Sequence, residues 1–592
     1  MPVTRNARRL QWTLGLTGVV VVLLVGYTGY QALQAKDALE VVAAEFDEIA
    51  GELRGGNEVA ARESLDAAQA AAADASTSTQ GPGWWLTSRL PGVGDDVQAV
   101  RTVADVTDVL AAEVLPDVVV ASEKLDPANL RPRNGRIDTK PLVEVAPSVV
   151  AADEEMQRQA ARVAALETTE LNPQLAEPVA LMQKKLREAA ALSAKASYAV
   201  RLLPTMLGAE EKRTYLVLFQ NNAEVRATGG IPGAFAVMTA HRGRISLGAQ
   251  GSSTDISQLE KPALPLTAEE RALYEDKMAL FSQNVNFTPD FPRSAELIRA
   301  MWAERTGTTV DGVLSTDPVA LSYLLEGTGP VGLPGGEKLT ADNAVPLLLN
   351  EIYHRVPDPA MQDEFFALAA KGVFQKVTSG AGEPPVVLEA LSRSASEGRM
   401  YAWSAHEQEQ ALLDETALGG RIPREPGEHR PFLGVFLNDG TGAKMQYYLD
   451  HEVDVEPTAC NTEGRQRLDV TVTLTSRAPQ NAAELPPYIV GMARELGIRP
   501  GSMRVNTHLY GPIGGWIDDS AVDGQTIPLS ELEHHGHPVG SRTVEIAPGQ
   551  TRRLTYTVMS GLDQPADVNL RVTPGVRGDG VGDIEPSACT PD

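Results

Sequence analysis

Three short β-type runs inside residues 215–255 constrain the fold of this chain more than any other stretch. The segment Tyr215–Asp255 reads YLVLFQNNAEVRATGGIPGAFAVMTAHRGRISLGAQGSSTD. Tyr215–Phe219, Ala234–Thr239 and Ile245–Leu247 carry the apolar composition of strands. A polar, glycine-rich segment, Gln220–Gly233, separates the first two, and the tight turn His241-Arg242-Gly243-Arg244 separates the others. Runs bounded by Gly, Pro and Asn clusters predict a small sheet with a site at its strand ends. Glu224 and Arg226 fall on the first loop and Asp255 just beyond the third strand, so strand pairing brings them to neighbouring edges of one sheet. A guanidinium beside carboxylates, with backbone N–H groups freed by glycines, suits a phosphate-bearing ligand with a metal ion. A surface Arg–Glu pair beside a turn is the plainer reading of the same residues.

The rest of the chain gives this sheet its setting. At 592 residues there is room for two to four domains with full cores. A net charge of −26 argues against a nucleic-acid surface and for a well-solvated exterior. The only cysteines, Cys460 and Cys589, read as one disulfide formed in an oxidising compartment; two free thiols are the alternative.

Between Arg9 and Lys36 no residue is charged, which is long enough to span a bilayer. Arg5, Arg8 and Arg9 precede it, so the positive-inside rule puts the N-terminus in the cytoplasm and the bulk of the chain outside the plasma membrane. A cleaved signal peptide competes with this anchor, but Leu33-Gln34-Ala35 makes a poor cleavage site. Leu39, Val42, Phe46, Ile49 and Leu53 then follow the spacing of a helix–helix seam. Trp84 and Trp85 suit either a membrane interface or a buried hinge. Leu125–Pro147, with Arg131, Arg133 and Arg136, reads as a solvated loop between helices.

Beyond residue 206, helical patterns at Arg293–Arg305, Pro318–Leu325, Leu339–Asn350 and Asp363–Val377 alternate with strands, including Val310–Leu314. From Pro431 the texture changes to short β runs, Phe432–Leu437, Met445–Tyr448, Arg467–Leu474 and Leu554–Met559, the pattern of a β-sandwich. His534-His535-Gly536-His537 is the most metal-like cluster, but it lies in a loop and lacks ligands from separate elements. No Walker A, GxGxxG, HExxH or GxSxG pattern occurs.

The expected fold is thus multidomain α+β. It comprises a cytoplasmic tail (1–9), a transmembrane helix (10–32), an extracytoplasmic helical stalk or bundle (33–205), an α/β domain (206–412), a linker (413–430) and a C-terminal β-sandwich (431–592).

The motifs YLVLFQNNAEVRATGG, NVNFTPDFP, TVDGVLSTDPVALSYLLEGTGPV and NEIYHR, with PGVGDD and LLPTMLGAEEKR before them, resemble an actinobacterial cell-envelope family known only as domain of unknown function 4012. More distantly, the layout is similar to the LytR–CpsA–Psr glycopolymer ligases. That resemblance implies an α/β domain that binds a polyprenyl-pyrophosphate lipid and, with a divalent metal such as Mg, transfers its glycan to the cell wall. It gives Arg226, Asp255 and Glu224 as catalytic candidates, with Asp255 and Glu224 holding the metal. Arg226, Arg355, Tyr353 and Asn222 would bind the lipid pyrophosphate. This chain departs from the ligase pattern at Pro359-Ala360-Met361-Gln362-Asp363, where the ligases carry arginines. Losing bidentate donors weakens pyrophosphate binding. Two functions follow as expectations: an envelope protein that binds a lipid-linked or polymeric glycan in surface-polymer assembly, or a phosphotransferase acting on such a lipid. Transfer chemistry requires Arg226, Arg355 and Asp255 to converge in one cleft.

Overall fold

The computed structural model describes residues 30–589 except 50, 54–56, 126–130 and 428. The described chain forms two compact units, one of residues up to Leu130 with Asp138–Thr205, the other of Arg131–Ile137 with Met206 onward.

The first unit is helical. A helix over residues 30–49 buries Val42 and Ile49, and Ile49 packs with Leu65 and Ala68 of the helix Glu58–Ser78 and with Val119. The seam spacing of the sequence therefore does form a helix–helix contact. Trp84 is buried, whereas Trp85 is exposed beneath the Arg89 guanidinium. The helix Lys140–Ala164 carries Pro147 inside it, so the expected loop ends earlier than its proline suggested. Among the described residues no helix is long and apolar enough to cross a membrane. This corrects the expected fold class: a transmembrane helix is not supported. Residues 10–29 of the expected span lie outside the described residues, and the described helix that starts at residue 30 carries charges at Lys36, Asp37 and Glu40.

The second unit is built on a five-stranded sheet ordered β3-β2-β1-β4-β7. Its strands are β1 (Arg213–Asn221), β2 (Ile231–His241), β3 (Arg244–Ser252), β4 (Gly312–Thr316) and β7 (Tyr401–Ser404); β5 (Val331–Gly332) and β6 (Lys338–Leu339) make a separate ribbon. β1, β2 and β3 pair antiparallel, β4 joins β1 in parallel, and β7 closes the far edge antiparallel. Side chains alternate across β1. Leu216 and Leu218 pack against the helix Phe291–Thr306 through its Leu297, Ile298 and Met301. Phe219, on the opposite face, borders open space. The segment Arg131–Ile137, read from sequence as a solvated loop, lies against β3 through a bridge between Arg136 and Arg244.

Two further sheets form a sandwich. One is ordered β13-β12-β16-β10-β9-β18 and the other β14-β15-β11-β8-β17. In chain order these are β8 (Phe432–Asp439), β9 (Leu449–Cys460), β10 (Gln466–Ser476), β11 (Met503–Tyr510), β12 (Trp516–Val522), β13 (Gln525–Thr526), β14 (Ser530–His534), β15 (His537–Ile546), β16 (Thr551–Met559), β17 (Asn569–Val572) and β18 (Val581–Ile584). Val435 and Leu437 of one sheet meet Val470, Val472 and Leu474 of the other in one core. That core also takes in Val225, Ile352 and Tyr353, so the α/β layer and the sandwich share buried apolar surface. Cys460 at the end of β9 is disulfide-bonded to Cys589, with Cα atoms 5.0 Å apart.

Met445–Tyr448 is not a strand. Lys444–Tyr448 forms a 3-10 turn, gathered around the buried Asp439 carboxylate at the end of β8. Asp439 accepts hydrogen bonds from the Thr441 N–H (2.9 Å), the Ala443 N–H (3.2 Å) and the Gln446 side-chain amide (2.6 Å). A carboxylate that satisfies this many donors competes successfully with a strand ladder for the local backbone.

Candidate functional site

The β1–β2 loop, Asn222–Gly230, is buried throughout. Its glycine-rich sequence suggested free N–H groups for an anion, but several are already committed. The Gly230 N–H donates to the Gln220 side chain (3.0 Å), the Gly229 N–H to the Arg226 carbonyl (2.8 Å) and the Ile231 N–H to the Glu224 carbonyl (3.0 Å). The loop also ties into the sandwich. The Asp439 N–H donates to the Val225 carbonyl (2.9 Å), the Ala227 N–H to Asn438 (3.1 Å) and the Thr573 hydroxyl to the Ala227 carbonyl (2.9 Å). Gly230 is required by close approach, since a Cβ there would sit 2.3 Å from the Asn221 backbone.

Beside this loop, between the sheet and the sandwich, lies a cavity of about 830 Å³. Its apolar wall includes Phe219, Phe235, Leu321, Leu348, Phe366 and Ala370. Gly233, left unpaired where Phe219 faces Ala234 and Gln220 faces Pro232, opens the β2 side of the wall. Leu348 and Leu349 come from a π-helical turn, Leu347–Glu351, inserted between Ala341–Pro346 and Ile352–Arg355. Such insertions are frequent at functional sites because they displace side chains from helical register.

The polar part of the wall centres on Lys444. Its ammonium is ion-paired with Glu224, and both side chains are nearly buried, at 7% and 11% exposure. The ammonium also lies 4.1 Å from the centre of the Tyr488 ring and 5.0 Å from that of Tyr353. Burial opposes the charge on Lys444, but Glu224 and then the two tyrosines outweigh it and hold the ammonium well above the ordinary lysine value. Tyr353 accepts a hydrogen bond from the Asn221 amide (2.8 Å), and burial pushes its phenol well above the usual range.

A second buried ion pair stands at the start of the helix Pro318–Thr328. Asp317 caps it by accepting from the Ala320 N–H (2.7 Å), and also accepts from Asn222 (2.8 Å) and from Arg399 (3.2 Å). Arg399 is buried and further donates to the carbonyls of Gly575 (2.9 Å) and Gly578 (2.8 Å). Asp363 and Glu364, from the helix Pro359–Thr378, complete the wall with Glu495. Partial burial, and next the neighbouring Asp255, raise Asp363 above the usual carboxylate range.

The residues singled out from sequence divide between this cavity and elsewhere. Glu224 and Tyr353 line it; Arg226, Arg355, Asp255 and Asn222 do not. Arg226 is buried, donates to its neighbour's carbonyl at Val225 (2.9 Å) and to Asn284 (3.5 Å), and lies over the Phe287 ring. Arg355 is half-exposed and ion-paired with Glu337 (3.0 Å) and Glu351. Asp255 accepts from the Ser252 N–H (3.0 Å), capping its own turn. The three groups that transfer chemistry requires do not line one cleft. Nor does the pair proposed to hold a metal fit one: Glu224 is committed to Lys444 and Asp255 to its turn. Among the described residues no group of three or more His, Cys, Asp or Glu side chains is arranged to hold a metal ion. The histidine cluster is structural, with both His537 ring nitrogens against the carbonyls of Gly511 (2.7 Å) and Pro423 (2.8 Å) and His534 against the Tyr510 hydroxyl (3.0 Å).

One comparison bears on this region. Residues 210–353 match the family described as Protein of unknown function (DUF4012). The DUF4012 segment supplies β1, β2, β3, β4 and the π-helical turn, and it ends at Tyr353. The opposite wall, with Gln362–Ala370, Lys444 and Tyr488, lies outside the DUF4012 match. No curated protein and no solved structure matches the chain.

Lys444, Asp317, Arg399 and Tyr488 were missed from sequence. Asp317-Pro318 carries a helix-start signal that marked the helix but not its place on a cavity. Lys444 gives no local signal, because its partner Glu224 is more than two hundred positions away, and Tyr488 joins the wall through Lys444 and Tyr353.

Proposed function

We propose that this chain is a binding protein for a lipid-linked or polymeric glycan of the cell envelope, taking part in surface-polymer assembly without catalysing transfer. One observation carries the reading: a cavity of about 830 Å³, apolar in its body and edged with amides, carboxylates and tyrosine hydroxyls, at the ends of β1, β2 and β4. Concave, mostly apolar sites with a few fixed polar groups are where amphiphilic ligands bind. The disulfide Cys460–Cys589 supports a place in an oxidising compartment outside the cytoplasm. The likeness of the layout to the LytR–CpsA–Psr ligases supports a glycan-bearing lipid as the class of ligand. Binding is favoured over transfer because neither Arg226 nor Arg355 lines the cavity and, among the described residues, no group of three or more metal-ligating side chains accompanies Glu224.

Mass spectrometry of lipids extracted from the purified chain tests this, comparing wild type with Ala370→Trp, which puts an indole into the apolar wall and narrows the cavity. A glycan-bearing lipid in the wild type and its depletion in the folded variant is the expected result. Absence of any lipid from both, with the fold intact, overturns it.

A further inference from the structure

The charges around the cavity specify the head of the ligand. Each buried ionised group on the cavity wall already has a partner of opposite sign. Lys444 is held by Glu224, and Asp317 by Arg399. Lys444 is the only Lys or Arg among the lining residues. A phosphate lodged there would find no uncommitted cation, and an ammonium held among these buried pairs would find no uncommitted carboxylate, because Asp363, Glu364 and Glu495 stand at exposed positions of the wall. Either charge would be desolvated without compensation, which a buried site does not tolerate.

The hydrogen-bonding groups point the same way. Most side-chain amide donors on the wall are used internally: Asn221 donates to Tyr353 (2.8 Å), Gln250 to the Ala367 carbonyl (3.2 Å), Gln362 to the Val356 carbonyl (2.6 Å) and Gln220 to Ser315. Beside the hydroxyls of Ser253, Thr316, Tyr353 and Tyr488, the wall offers acceptor oxygen. Asp363, Glu364 and Glu495 line the cavity with no ion pair among the described residues, and Asp255 adds its charge beside Asp363. Carboxylates are acceptor-only groups, so a complementary head brings donors. A phosphate monoanion or dianion brings mainly acceptors and meets like charge, whereas sugar hydroxyls bring donors at no cost in charge.

Resting on the reading of the cavity as a glycolipid site, the geometry points to an amphiphile whose head within the cavity is uncharged and rich in hydroxyls, with anionic phosphate heads excluded. Any phosphate that the ligand carries then lies outside the cavity. The site is a neutral-glycolipid site, in which Asp363, Glu364 and Glu495 set the specificity.

Isothermal titration of the full chain with three probes of one tail length tests this: decyl maltoside, decyl phosphate and decyltrimethylammonium, each below its micellar concentration. The maltoside is expected to bind, and the phosphate to bind at least about tenfold more weakly. In Glu364→Lys/Glu495→Lys, both exposed positions, the phosphate-to-maltoside affinity ratio is expected to rise by about tenfold. Phosphate or trimethylammonium binding as tightly as the maltoside in the wild type overturns the inference while leaving an amphiphile site in place. No heat from any probe overturns the glycolipid reading of the cavity and this inference together. A ratio unchanged in the double variant overturns the role given to the carboxylates.

Discussion

Replacing Lys444 by Met isolates the electrostatic term that holds the cavity wall together. Methionine keeps much of the apolar stem against the Tyr353 and Tyr488 rings, so little packing is lost. What remains is the Glu224 carboxylate, 11% exposed, with its ammonium partner gone. Removing one member of a buried pair costs about 3–5 kcal/mol, because the survivor stays desolvated and unpaired. Glu224→Gln should cost less, since the lysine stem is flexible enough to seek water and the rings still face its ammonium. The double variant Glu224→Gln/Lys444→Met should recover most of the loss, within about 1–2 kcal/mol of wild type, because neither charge is then buried. Urea unfolding followed by hydrogen exchange of β8 and β10 reads the stability of this unit rather than of the helical one. A Lys444→Met loss below about 1 kcal/mol would place the pair among solvated surface bridges and refute the reasoning.

Three other outcomes follow from named contacts. Burial holds His508 at about 4 and, with His535 and His537 next in effect, His534 at about 3, against an ordinary value near 6.5. Below pH 6.5 the unfolded chain takes up these protons and the folded chain does not, so stability falls with pH, for His508 by about 3 kcal/mol by pH 4. Acid unfolding of wild type against His508→Phe should show a shallower slope between pH 6.5 and 4 in the variant; parallel slopes contradict it. Cys460→Ser opens a loop of 129 residues and should destabilise the sandwich by about 5 kcal/mol on the chain-entropy account, read as a lowered urea midpoint. Arg355→Ala should leave the amount of co-purified lipid unchanged, since its partners Glu337 and Glu351 lie off the cavity wall; depletion would restore the pyrophosphate role that the ligase resemblance gave it.

Much of the sheet was legible because its signals are local. Gly243 in the His241–Arg244 turn, with φ +75°, and the apolar runs on either side identify β2 and β3 without reference to the rest of the chain. Asp317-Pro318 and the Gly307 stop, φ +69°, likewise mark helix ends by their own chemistry. The cysteines could pair only with each other within one chain. The β1–β2 loop was misread for the opposite reason. A polar, glycine-rich loop looks the same in sequence whether it faces a phosphate or the edge of a sandwich. Asn438, Asp439, Lys444 and Thr573 decide between these, and all are more than two hundred positions away. Met445–Tyr448 failed similarly, because the Asp439 carboxylate overrides a local β preference.

The central claim is that the cavity beside Lys444 takes an amphiphile with its tail inward. A decyl maltoside carrying a diazirine in its tail, irradiated with the full chain and mapped by peptide mass spectrometry, tests that claim directly. Adducts on the peptides that hold Phe219, Leu321, Leu348 and Phe366, competed away by unlabelled maltoside, are the predicted result. Labelling confined to other surfaces, or none that competitor removes, would contradict it.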